Sequence, residues 1–176
     1  RRSSDLFLTW DYDNANKVDD KWLYLPAMKK TRRISGKSSK TDYFMGSDFT
    51  YNDMNTRSVD EETHKLLREE VVGGKKCWVV QSTPKDRDEI YAYRITWIRQ
   101  DCLMVVKSDF YDKLKKLHRR LTISNIDKVQ GFWTMHLMQM ENVQTGHKTI
   151  IRMNNQRFNV KVQPNLFTVS KLEKGL

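Results

Sequence analysis

Hydrophobic and polar positions alternate with period two along most of this chain, the signature of half-buried strands. Leu6, Leu8 and Trp10 share one parity. Residues 22–25 form a β-rich run closed by Pro26, and 30–34 make a further short strand. The stretch 35–40 is Gly/Ser/Lys in composition and predicts a flexible loop. Residues 44–54 carry no clean period and predict an irregular or one-turn helical segment whose Phe44, Met45, Phe49 and Tyr51 must pack somewhere. From residue 59 onward hairpins follow one another: 64–72 and 76–83 around Gly73-Gly74, then 90–99, 102–111, 117–126, 132–141 and 148–160.

Connections of about two to six residues between neighbouring strands dictate an antiparallel meander, because parallel pairs need crossovers of a dozen residues or more. Eight to ten strands are expected, with a helical turn or two in 60–67 and in 44–54, so the class is mainly β. Several strands are apolar on both parities: Phe132, Met138 and Met140 on one, Trp133, Met135 and Leu137 on the other. A sheet wet on one side would alternate cleanly, so both faces are expected to be covered. The eight methionines suit a pliable apolar lining or an ordinary core.

Composition narrows the function. The 176 residues are 38% hydrophobic and 31% charged, one domain's worth of chain with a core. No stretch approaches the roughly 20 apolar residues of a membrane helix. With 32 Lys+Arg against 22 Asp+Glu the net charge is +10, which calls for an anionic partner. The basic residues gather at Lys29, Lys30, Arg32 and Arg33, with Lys40 nearby, and again over 113–120. The only cysteines, Cys77 and Cys102, leave open whether they are bridged.

Signals of catalysis are thin. His64, His118, His136 and His147 fall in separate strands or turns without metal-ligand spacing. The acidic run Asp60-Glu61-Glu62 predicts an exposed strand start or turn, and residues 72–75 lack the spacing of a phosphate loop. No enzymatic activity, cofactor or metal is expected. Arg94, Arg99, Arg119, Arg120, Tyr91, Tyr93 and Trp97 could in principle build a basic, aromatic sheet for nucleic acid. Tyr91, Tyr93 and Trp97, however, share their parity with Ile95, which favours a core stripe over a stacking platform.

Two long motifs carry a resemblance: Trp22-Leu23-Tyr24-Leu25-Pro26-Ala27-Met28-Lys29-Lys30-Thr31-Arg32-Arg33-Ile34-Ser35, and Phe44-Met45-Gly46-Ser47-Asp48-Phe49-Thr50-Tyr51-Asn52-Asp53-Met54. With Cys77-Trp78-Val79-Val80, Thr83-Pro84-Lys85, Phe110-Tyr111-Asp112 and Phe167-Thr168, the chain resembles the LolA-like outer-membrane lipoprotein-sorting proteins of Gram-negative bacteria. The resemblance implies a strongly curved antiparallel sheet, an incomplete β-barrel, with a few short helices covering its concave side. It implies a single domain over 1–176, corresponding to the later two-thirds of the family's usual domain. It also implies a periplasmic carrier, possible association with the outer membrane, and lipid or acylated lipoprotein as cargo.

On that reading an apolar cavity draws on Leu8, Trp10, Trp97, Val105, Trp133, Met135, Leu137 and Met153. Phe44, Met45, Phe49 and Tyr51 are expected at its mouth, and Lys29, Lys30, Arg32 and Arg33 against an anionic headgroup or membrane surface. The alternatives are a basic β-sheet module for nucleic acid, the less favoured partner, and an accessory interaction protein of a membrane transporter.

Overall fold

The computed structural model describes residues 6–12 and 17–174. β1 (Leu6–Trp10), β2 (Asp20–Leu25) and β3 (Lys30–Ile34) form a three-stranded antiparallel sheet, with a one-turn 3-10 helix at Pro26–Met28 between the last two. β4 (Glu62–Val72), β5 (Lys75–Pro84), β6 (Tyr93–Arg99), β7 (Val105–Tyr111), β8 (Leu117–Val129), β9 (Phe132–Asn142) and β10 (Lys148–Arg152) form a second sheet. In this sheet each strand pairs with its neighbours in sequence, an uninterrupted meander. Its edges β4 and β10 do not meet, so the sheet is an incomplete barrel.

The turn chemistry explains the meander. Gly73 and Gly74 both take positive φ (56° and 75°), which a two-residue hairpin demands and glycine supplies without strain. Gly131 and Gly146 also take positive φ, at the β8–β9 and β9–β10 turns.

Three expectations are corrected. Residues 36–41 are helical rather than a loop: α1 (Gly36–Thr41) forms because the Ser35 hydroxyl caps it, accepting the Ser38 amide at 3.1 Å. β10 ends at Arg152, far short of 160, and the chain then runs irregularly to a 3-10 turn at Pro164–Phe167 and α2 (Val169–Lys174). Tyr91 precedes β6 and does not share its stripe: it is buried with Phe49, Phe110 and Met140, whereas Trp97 packs with Cys77 and Val79.

Those two clusters lie on opposite faces of the large sheet. Cross-strand register places Thr96, Ser108, Leu121, Met140 and Thr149 in one row on the face that carries Phe110. Trp97, Val79 and Cys77 point the other way, with Leu67, Val72, Ile95 and Val106 packed around them. Apolar residues on both parities therefore reflect two cores on one sheet. A third cluster, Leu23, Ile34 and Tyr51 with Phe7, Leu25 and Phe44, ties the small sheet to the irregular segment. Both cysteines are free thiols, and burial raises the pKa of Cys77.

Candidate functional site

Residues 44–54 form a cover over the face of the large sheet that carries Phe110 and Met140. Tyr43 and Thr50 bridge across the loop, and a 3-10 turn at Tyr51–Met54 is held by a reciprocal capping box between Thr50 and Asp53. These local bonds satisfy a segment too short to form a stable helix. Phe49 inserts beside Tyr91, Phe110 and Met140, while Phe44 packs against both Phe49's cluster and Tyr51's.

Polar groups pin the cover. Arg119, only 1% exposed, donates to the Asp48 carbonyl at 3.1 Å and to Asp53 at 2.5 Å, with its guanidinium 4.9 Å from the Phe110 ring centre. Asp48 accepts from the Thr149 hydroxyl at 2.8 Å, and His147 Nδ1 lies 2.8 Å from the same carboxylate.

Beneath the cover runs a groove of about 150 Å³. Phe49, Phe110, Leu121, Met138 and Met140 make its apolar wall, and Asn52, Asp53, Asn55, Arg57 and Arg94 its polar flank. An apolar cavity of that volume holds a molecule the size of benzene, so the groove takes roughly six carbons of a chain. Among the described residues, two buried atoms in its lining have no hydrogen-bond partner, Arg94 Nε and Asn55 Oδ1.

Beside the groove lies a buried ionic network that sequence reasoning missed. Glu62 is 3% exposed, a correction to the exposed acidic run; Asp60 and Glu61 do face solvent. Its carboxylate accepts from the Tyr91 hydroxyl at 2.8 Å and from Arg94 at 2.6 Å, and Arg57 stands 3.6 Å away while bonding Glu89 at 2.6 Å. Burial alone would raise the Glu62 pKa, but the Arg94 guanidinium, the Tyr91 hydroxyl and Arg57 outweigh it and hold it below the ordinary value. Burial raises Tyr91 strongly, so its hydroxyl stays a donor.

The eight side chains expected to line a cavity are distributed over several surfaces, and none lines this groove. Leu8 and Trp10 sit on β1 against α2; Leu8 is buried, and the Trp10 indole donates to the Phe167 carbonyl at 2.8 Å. Trp133, Met135 and Leu137 project from the parity of β9 opposite Met138 and Met140, on the side of the sheet where Trp97 lies. Val105 opens β7 opposite Ile98, and Met153 lies just past β10 with its amide on the His136 carbonyl. Of the four expected at a mouth, Phe49 and Tyr51 are buried, Phe44 is partly buried and Met45 is exposed.

Lys29, Lys30, Arg32 and Arg33 are all exposed on or beside β3, with Arg33 paired to Asp20. The arginines considered for nucleic acid are engaged within the fold: Arg94 with Glu62, Arg99 with Asp101, Arg119 with Asp53 and Arg120 with Asp109. Tyr91 and Trp97 are buried, while Tyr93 is partly exposed and stacks on Tyr111 with ring centres 4.6 Å apart.

The chain belongs to the DUF1329 family, whose model, described as "Uncharacterized protein", matches residues 4–174. It is similar to a DUF1329 family protein from Desulfovibrio piger, at 37% identity and a TM-score of 0.89 over 96% of this chain and 70% of that one. It is also similar to a Vibrio parahaemolyticus domain whose name assigns it to outer membrane lipoprotein sorting, at 31% identity and a TM-score of 0.87 over 95% of this chain and 70% of that one. A LolA superfamily protein from Nitrosomonas europaea shares the fold at 19% identity, with a TM-score of 0.65 over 86% of this chain and 67% of that one. No curated protein sequence matches the chain.

Proposed function

We propose that this chain is a periplasmic carrier that holds the acyl chains of a lipid or lipoprotein, in outer-membrane lipoprotein sorting or lipid transport, and that it is not an enzyme. The observation carrying this reading is the groove of about 150 Å³, walled by Phe49, Phe110, Leu121, Met138 and Met140 under the cover of residues 44–54, in a fold shared with a lipoprotein-sorting domain. Six methylenes buried there are worth roughly 5 kcal/mol at about 0.8 each. A chain of twelve to sixteen carbons exceeds the groove, and its remainder must extend along the same face of the sheet.

Native mass spectrometry followed by organic extraction tests the reading. The purified protein is expected to retain or take up one acyl-bearing lipid, and Leu121→Trp, which fills the groove, is expected to cut uptake about tenfold. A protein that takes up no lipid, or whose uptake Leu121→Trp leaves unchanged, would end this assignment.

The basic strand β3 fits an anionic leaflet. Each exposed basic residue near such a surface contributes about 1 kcal/mol, so reversing Lys29, Lys30 and Arg32 to glutamate is expected to weaken binding to anionic vesicles more than a hundredfold. Arg33 is left intact because it already pairs with Asp20. Vesicle co-sedimentation over a salt series reads this, and tighter binding to single-stranded nucleic acid than to anionic vesicles at moderate salt would favour a nucleic-acid module instead.

A further inference from the structure

A larger cavity, about 340 Å³, adjoins the apolar groove at Asn52 and Arg57, where the turn end of β1 and β2 meets α1, the Val59–Glu61 turn and the end of β5. Its lining mixes charged side chains with the apolar surfaces of Tyr12, Val18 and Pro84. Two side chains on it are nearly inaccessible, Lys21 and Ser39, each 2% exposed. Among the described residues the Lys21 ammonium has one ion pair, with Asp19 at 3.7 Å, beyond hydrogen-bond reach. Asp19 also accepts the Tyr12 amide at 3.1 Å and the Asn55 amide nitrogen at 3.0 Å, so it serves three cationic or amide donors at once. Among the described residues the Ser39 hydroxyl has no hydrogen-bond partner.

A buried ammonium carries three donors and is costly without acceptors. Burial accordingly lowers the Lys21 pKa, a shift that the Asp19, Asp11 and Glu61 carboxylates oppose only in part. Two buried polar groups in the cavity lining are thus short of hydrogen-bond partners among the described residues. The remaining lining sets a second requirement. Five cationic and five anionic side chains face the cavity. Arg57 pairs with Glu89 and Lys40 with Asp86, which leaves Lys17 and Lys85 against Asp60 and Glu61, none of them in an ion pair among the described residues. A bare anion would meet the acidic rim unfavourably, and a bare cation would leave Lys21 and Ser39 unsatisfied.

We propose that this cleft binds a small zwitterion, its carboxylate or phosphate seated on Lys21 Nζ and Ser39 Oγ and its ammonium turned toward Asp60 and Glu61. The volume suits a molecule at the small end of the usual ligand range. The site touches the groove at Asn52 and Arg57 but contains none of the groove's apolar wall, and its proposal does not rest on the carrier reading. Its chemistry could be met by a free solute or by the exposed headgroup of an amino-bearing phospholipid.

Isothermal titration calorimetry on the full chain tests it with O-phosphoethanolamine and β-alanine as zwitterions, and inorganic phosphate and ethanolamine as single-charge controls. One zwitterion at least is expected to bind saturably at one site, with both controls at least tenfold weaker. Lys21→Met, which keeps length and removes the ammonium, is expected to weaken that binding tenfold or more. Ser39→Ala, a change of one atom, is expected to weaken it about threefold and serves as the second variant should Lys21→Met fail to fold. Displacement of the bound zwitterion by phosphatidylethanolamine vesicles supports the site with a lipid headgroup as its source, and retention supports it with a free solute. The absence of saturable binding by either zwitterion, phosphate binding as tight as the zwitterion, or zwitterion affinity unmoved by both variants would overturn the proposal.

Discussion

Replacing Glu62 by glutamine is expected to cost about 3 to 5 kcal/mol, the usual penalty for removing one partner of a buried ion pair. The reason is asymmetric. Glutamine fills the same space beside Tyr91, but Arg94 is left as a partly buried cation without its carboxylate, while Arg57 keeps only Glu89. For a chain of this size that corresponds to a fall in Tm of about 6 to 20 °C. The loss depends on pH in a defined direction. Because the folded carboxyl titrates below its ordinary value of 4.5, its stabilisation is fully present above that pH and is lost as pH falls through the folded value. Urea midpoints of the native chain and Glu62→Gln, measured from about pH 7 down to about pH 3, are therefore expected to converge at the acid end. A gap that stays constant over the series would show that packing, not charge, accounts for the loss. A double-mutant cycle with Arg94→Met separates the pair energy from the cost of the orphaned cation.

Much of the fold was legible because period-two alternation reports the strand directly. β1, β2, β3 and every hairpin from β4 to β9 follow from parity and turn residues alone, and Gly73-Gly74 marks its turn by a conformation other residues avoid. What failed did so for local reasons. α1 reads as a loop because Gly36, Ser38, Ser39 and Thr41 are weak helix formers, and only the Ser35 cap reveals it. β10 reads too long because 153–160 keeps scattered apolar residues after the ladder to β9 has ended at Arg152.

The site was less legible. Parity shows that β9 has two apolar faces but not which one the cover takes, since that depends on where residues 44–54 fold back, a contact across about 90 positions. A usable signal did exist for the buried charges. Arg119 shares its parity with Leu121 and Ile123, and Glu62 shares its own with Leu66, so each is a charge set in a register that includes apolar residues. Opposite charges buried in such registers point to long-range pairs, though not to their partners.

Arg119→Met is expected to detach the cover without unfolding the sheet. Methionine retains the apolar contact with Phe110 but removes both bonds that the guanidinium makes to the cover, leaving Asp53 without its cation. Segments held by few buried contacts open independently of the global fold, and hydrogen exchange reads that opening amide by amide. The reporters are the Phe44 amide, bonded to the Phe49 carbonyl at 2.6 Å, and the Tyr51 amide, bonded to the Asp42 carbonyl at 3.3 Å. A loss of about 3 kcal/mol in the cover's closing energy accelerates their exchange roughly a hundredfold. Amides in the ladder between β5 and β6, on the far side of the sheet from the cover's bonds, should change much less. Equal acceleration in both places would mean that the cover and the sheet open as one unit, and the groove beneath residues 44–54 would then have no entrance of its own.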